Sequence, residues 1–165
     1  MTFAEFNVAD TAVARAALLQ CCSSKQWAEI ILARRPFQDR ESLLGAADAL
    51  WWTLGPEDWR EAFSAHPRIG QNKLGSGKVS QWSSQEQSGV GSAPLAVLER
   101  LAKANEEYER RFGWIFLVNA TGKSVPEMLH LLEARLKNED EEELRVAAGE
   151  QARITRLRLN KMFDE

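Results

Sequence analysis

A small enzyme can move protons and hold an anion with histidine, carboxylate and arginine, and this sequence sets one of each apart from its neighbours. His66 ends a helical stretch, precedes Pro67 and opens the run HPRIGQNKLGSGKVSQWSS, which has three glycines, four serines and no helical period. An imidazole titrates near ~6.5, which makes it the commonest proton-transfer group at neutral pH. A histidine closing a helix also interacts favourably with the helix dipole, so position alone leaves both roles open. Glu86 closes Ser83-Ser84-Gln85-Glu86, an S-x-x-E capping box in which the carboxylate bonds its own N-cap amide. The same helix start presents free amides to an anion, and Ser83, Glu86 and Gln87 would crowd it with donors and one carboxylate. Capping is the favoured reading of those residues by themselves. Near the C-terminus Arg153 and Arg156 share a helix face, whereas Arg158 is rotated toward the side that carries Ile154. An arginine turned inward there needs a carboxylate partner, from the protein or from a substrate. His130, mid-helix beside Met128 and Leu131, reads as a surface or boundary residue.

Other chemistries lack their signatures. The chain has no P-loop, GxGxxG, HExxH or GxSxG. Cys21 and Cys22 are adjacent, which disfavours a structural disulfide, and with two histidines and no spaced CxxC a metal site is not expected. Lys and Arg number 21 against 24 Asp and Glu, a net charge of −3, and no basic stripe suggests a nucleic-acid partner. The longest apolar run, Trp114–Val118, is far short of the ~20 residues a membrane span needs. The N-terminus has neither a basic region nor an apolar core of a secretory signal, and the expected location is the cytoplasm.

The elements that must position these residues read as helices almost throughout. Asp10 caps a first helix to about Cys22, with Val13, Ala17, Leu18 and Cys21 on its inner face. Ser24 starts a second, which Pro36 stops; Asp39 caps a third that runs to Leu54; Pro56 opens a fourth ending near Ala65. After the loop comes the short Ser83 helix. Pro94 then opens a long one to Phe112, which Gly113 can end. Trp114–Val118 is the one strand-like segment and has no evident partner strand. A second capping box, Ser124 to Glu127, starts a helix through Lys137, and an acidic turn, Asn138–Glu143, precedes a last helix to about Phe163. The six tryptophans mostly follow helix faces and belong in the core, while Trp82 in the loop is free to wall a pocket or a subunit contact. The expected architecture is all-α: one domain over 1–165, a bundle of roughly seven to eight helices with a long active-site loop after His66.

Several of these segments, in this order, resemble one family. They are Arg34-Arg35-Pro36-Phe37, His66-Pro67-Arg68-Ile69-Gly70, Ser83-x-x-Glu86-Gln87, and Asn105-x-x-Tyr108-x-x-Arg111-Phe112-Gly113-Trp114-x-Phe116, followed by Glu133-x-Arg135-Leu136-x-Asn138 and Leu157-Arg158-Leu159. The set is similar to 2-oxo-4-hydroxy-4-carboxy-5-ureidoimidazoline (OHCU) decarboxylase and covers nearly the whole chain. The resemblance implies an all-α fold and cofactor-free decarboxylation of OHCU to (S)-allantoin, the last step of urate degradation. By position it makes His66 the catalytic histidine, Glu86 the active-site carboxylate and Arg158 the arginine on the substrate. It assigns substrate binding to Pro67, to Ser83, Ser84, Gln85 and Gln87, and to Phe116, Leu117, Val118, Asn119 and Ala120 through backbone amides. It also implies a homodimer. Arg68-Ile69-Gly70 departs from the Asp-Leu-Ala-Gly that follows His-Pro in many members, a reversal of charge at position 68. The rival reading is a non-catalytic helical interaction domain, presenting Trp82 and the basic last helix to a partner.

Overall fold

Side chains placed two or three residues from the amides they satisfy start most of the helices. In the computed structural model, which describes residues 1–69 and 93–164, Asp10 Oδ1 accepts from the Ala12 amide and begins α2 (Thr11–Cys21). Ser24 Oγ accepts from the Trp27 amide ahead of α3 (Lys25–Leu32), and Asp39 from the Ser42 amide ahead of α4 (Arg40–Trp51). Pro56 opens α5 (Pro56–Ser64), and Pro94 stands before α6 (Leu95–Phe112). Ser124 and Glu127 form the expected reciprocal box at the start of α7 (Val125–Arg135). The last helix, α8 (Asp140–Asp164), takes Asp140, Glu141, Glu142 and Glu143 into its first turn. Those acids therefore form the start of the helix rather than a turn before it, where their charge meets the positive end of the dipole.

Three further expectations are corrected. A further helix, α1 (Phe3–Val8), precedes Asp10, held by a capping box in which Thr2 and Glu5 bond each other's amides. Val13 is 51 % exposed; the buried face of α2 is Ala14, Leu18 and Cys21, about one position around the helix. Trp114–Val118 forms no strand; within it the Leu117 carbonyl accepts from the Arg135 side chain rather than from a neighbouring strand. Among the described residues all regular structure is helical, eight helices in total. The Ser83 helix and Trp82 lie outside the described residues. No helix of the described chain is long and apolar enough to cross a membrane.

The chain divides into two compact units, Met1–Ala62 with Gln151–Glu165, and Phe63–Glu150. In the first, α3 packs against α2 and α4. Trp27, fully buried, donates its indole N–H to the Ala47 carbonyl at 3.0 Å and so fastens α3 to α4. The Arg34–Phe37 motif serves α1. Arg35 donates to the carbonyls of Phe6 and Ala9 at 2.7 and 3.0 Å, capping orphan acceptors at the end of α1. Asn7 and the Phe37 backbone exchange two hydrogen bonds of 2.9 Å. In the same unit, Arg40 donates to Asp164 and to the Asn160 carbonyl. Trp27, Trp51 and Trp114 are buried, while Trp52 is 45 % exposed.

The second unit is built on α6 against α7. Its core is a run of touching rings: Phe63 on Trp114, Trp114 on Phe112, Phe112 on Tyr108, and Tyr108 edge-on to Phe116. Such pairs add to the area they bury through the ring quadrupole. Met128 and Leu132 from α7 and Ala147 from α8 are also fully buried here.

Candidate active site

His66 stands two residues beyond α5. Its amide donates to the Phe63 carbonyl at 3.2 Å, a tight closing turn, and its side chain and that of Pro67 are half-buried. Arg68 explains its own reversed charge: Nε and Nη2 make a fork onto the two carboxylate oxygens of Glu109 at 2.7 and 2.8 Å. The pair is partly exposed, so its contribution is mainly to direction rather than stability. It ties the chain after His66 to α6, and Ile69 beside it is buried.

The Phe116–Ala120 segment follows from how α6 ends. Gly113 takes the left-handed conformation (φ 83°), its amide donates to the Glu109 carbonyl at 2.9 Å, and the chain leaves the helix without regular structure. Phe116, Leu117, Val118 and Ala120 are nevertheless buried. Buried backbone outside a helix or sheet must find partners elsewhere. Leu117 oxygen accepts from Arg135 Nη1 at 2.6 Å, the Asn119 amide donates to Glu150 at 2.9 Å, and Asn119 oxygen accepts from Lys123 Nζ at 2.8 Å.

Beneath this segment lies a polar cluster that the sequence reading did not single out. Glu143, fully buried, accepts from Arg135 Nε at 2.6 Å, from Tyr108 Oη at 2.6 Å and from Asn138 Nδ2 at 2.9 Å. The Trp114 indole N–H donates to Tyr108 Oη at 3.1 Å. The Arg135 guanidinium also lies over the Phe116 ring, 4.6 Å from its centroid. Burial raises the Tyr108 pKa; Arg135 opposes the shift and Glu143 adds to it, so the phenol stays protonated and donates. The signal for part of this cluster was present in the spacing Glu133-x-Arg135-Leu136-x-Asn138 and in Tyr108. Glu143, read as one acid in a turn, had none.

In the other unit, Arg158 on α8 is 4 % exposed, whereas Arg153 and Arg156 are exposed. Arg156 pairs with Glu41 at 2.8 Å. The inward position considered for Arg158 is therefore the one it occupies. Cys21 and Cys22 are buried and reduced, within the electrostatic reach of Arg158. Burial pushes the Cys22 thiol up to about 11, against the opposing pull of hydrogen bonds and of Arg158. Burial raises Cys21 further, so neither is an activated nucleophile. His130 is exposed, as its spacing suggested. Ser83, Ser84, Gln85, Glu86 and Gln87 lie outside the described residues. Among those described, no group of three or more His, Cys, Asp or Glu is placed to hold a metal ion.

Comparison with known proteins gives a consistent result. A family model described as OHCU decarboxylase matches residues 7–160. The Arabidopsis thaliana uric acid degradation bifunctional protein TTL is 34 % identical over 148 residues, 88 % of this chain and 46 % of that protein. This chain thus spans just under half the length of that relative. The Homo sapiens putative 2-oxo-4-hydroxy-4-carboxy-5-ureidoimidazoline decarboxylase is 33 % identical, over 80 % of this chain and 78 % of that one. A crystal structure of OHCU decarboxylase in the presence of (S)-allantoin superposes with a TM-score of 0.77 at 34 % identity, covering 89 % of this chain and 96 % of the other. A crystal structure of (S)-allantoin synthase, 21 % identical with a TM-score of 0.74, shares the fold.

Proposed function

This chain belongs to the OHCU decarboxylase family, and from that premise we propose that it converts OHCU to (S)-allantoin and CO₂ in urate degradation, with its own side chains as the catalysts. The observation that carries the reading is the family match over residues 7–160, a span that takes in His66, Glu86, Phe116–Ala120 and Arg158 together.

The reaction breaks the bond between a hydroxyl-bearing ring carbon and its carboxylate. CO₂ leaves, its electron pair passes into the ring as an enolate, the hydroxyl loses its proton to become the ring carbonyl, and a proton delivered to one face of the adjacent ureido-bearing carbon fixes the S configuration. Arg158 holds the ionised substrate, short of a grip on the departing carboxylate tight enough to oppose its loss. Backbone amides between Phe116 and Ala120 stabilise oxygens on which charge develops, as an oxyanion hole does. His66 and Glu86 manage the hydroxyl and the facial protonation. Pro67 and the Ser83–Gln87 stretch complete the substrate contacts. The half-buried position of His66 supports a proton-transfer role, because it combines access with partial shielding from water.

The test is circular dichroism during decay of OHCU made in situ. Added protein should give rapid appearance of optically active (S)-allantoin, and His66→Asn should cut turnover by about 10²-fold or more. Decay to racemic product at the uncatalysed rate would refute the reading. We further propose that the enzyme acts in the cytoplasm as a homodimer, the commonest symmetric assembly. Sedimentation at micromolar concentration should give twice the mass of one chain, and a single-chain mass would exclude the dimer.

A further inference from the structure

The buried Arg135–Glu143–Tyr108 cluster contains none of the residues given catalytic roles, yet it grips the backbone on which substrate binding is proposed. We infer that Arg135 is a positioning residue, one that orients and polarises the Val118 amide as a hydrogen-bond donor to the substrate. The inference rests on the reading of Phe116–Ala120 as a substrate-binding segment and narrows it to one peptide group.

Arg135 Nη1 holds the Leu117 carbonyl at 2.6 Å, while its Nε is fixed by Glu143 at 2.6 Å. Glu143 is in turn fixed by Tyr108 and Asn138. The guanidinium is rigid and planar, so with one edge anchored its other N–H has a set direction. The Leu117–Val118 peptide is trans; among the described residues the cis bond is Arg35–Pro36. In a trans peptide the carbonyl and the following N–H lie in one plane and point in opposite senses. Pinning Leu117 oxygen toward Arg135 therefore aims the Val118 N–H directly away from it. No acceptor among the described residues takes that N–H. The next amide differs, because Asn119 N–H is already engaged by Glu150 at 2.9 Å. Two successive peptide planes are thus held from opposite ends by charged side chains, and Val118 keeps its donor open. A cationic donor on the Leu117 carbonyl also draws electron density from the shared peptide and strengthens the Val118 N–H as a donor.

The test uses the full chain carrying Arg135→Met with Glu143→Leu, a pair that removes both buried charges together and so avoids leaving one uncompensated. Folding is checked by helical circular dichroism and cooperative urea unfolding. In the folded variant kcat for OHCU should fall about 10²-fold, the scale of an ~1 Å misplacement in an active site. KM should change by less than about 3-fold, because the lost interaction belongs to the transition state. The Val118 amide resonance in nitrogen-15 spectra should move while that of Asn119 stays. If the double variant does not fold, Arg135→Lys keeps a charge opposite Glu143, lacks the planar fork, and should give the same pattern at smaller amplitude. With an active wild type, a folded variant that keeps native kcat, or one in which the Val118 resonance is unmoved, overturns the inference alone. A wild-type chain that leaves OHCU decay unaccelerated overturns the underlying reading and the inference with it.

Discussion

Two arginines, Arg135 and Arg158, are almost fully buried among the described residues. Arg135 has its counter-charge in the protein: Glu143, itself without exposed surface, meets it at 2.6 Å. Removing one member of such a pair strands the other in a medium that cannot solvate it. Arg135→Met alone should therefore cost about 3–5 kcal/mol in urea unfolding, and the Arg135→Met/Glu143→Leu pair clearly less. Equal losses would mean that the two charges are not coupled. Arg158 sits beside two thiols whose pKa values burial raises, despite the opposing effect of that cation. At pH 8 a thiolate reagent should leave both cysteines unmodified in the native protein and label both on unfolding. Rapid native labelling would show that the Cys21–Cys22 site opens.

At the scale of elements, caps and stops set the helix lengths, and each can be tested by one atom or one methyl group. Ser24 is buried and its hydroxyl satisfies the Trp27 amide. Ser24→Ala should cost about 1 kcal/mol, seen as a fall in Tm of about 2–4 °C for a chain of this size. Gly113 is a different case. A Cβ there would meet nothing within 4 Å, so space is available, but φ is +83°. Gly113→Ala should still destabilise by about 1–2 kcal/mol, through backbone strain rather than crowding. Because Gly113 turns the chain from α6 into the buried segment, the same variant should lower OHCU turnover more than it lowers Tm would suggest. An unchanged kcat would separate the turn from the site.

Over the whole molecule, several carboxylates are more acidic folded than unfolded. Backbone and side-chain hydrogen bonds at Thr2 lower Glu5, those at Ser42 lower Asp39, and guanidinium partners lower Glu29 (Arg15) and Asp164 (Arg40). Between the lowered folded values and the ordinary ones near ~4, the unfolded chain binds more protons, so stability rises with pH there. The contribution is complete above the unfolded values and is lost as pH falls through the folded ones. Thermal melts should be nearly flat from pH 6 to 5 and drop progressively below about pH 4; a Tm independent of pH down to 3 would contradict these assignments. The sequence by itself determined the helices, because each cap at Asp10, Ser24, Asp39 and Ser124 closes a hydrogen bond within three residues. Even α1, absent from the reading from sequence, carried its own local signal in Thr2 and Glu5. Periodicity likewise distinguished Arg158 from Arg153 and Arg156 on one helix. Only tertiary structure could decide that Trp114–Val118 would be buried without a strand partner, or that Glu143 would leave its acidic neighbours to meet Arg135 and Tyr108. Those outcomes depend on which distant groups remove water from a residue, and the bonding of a buried charge or peptide is set by that enclosure rather than by its neighbours in the chain.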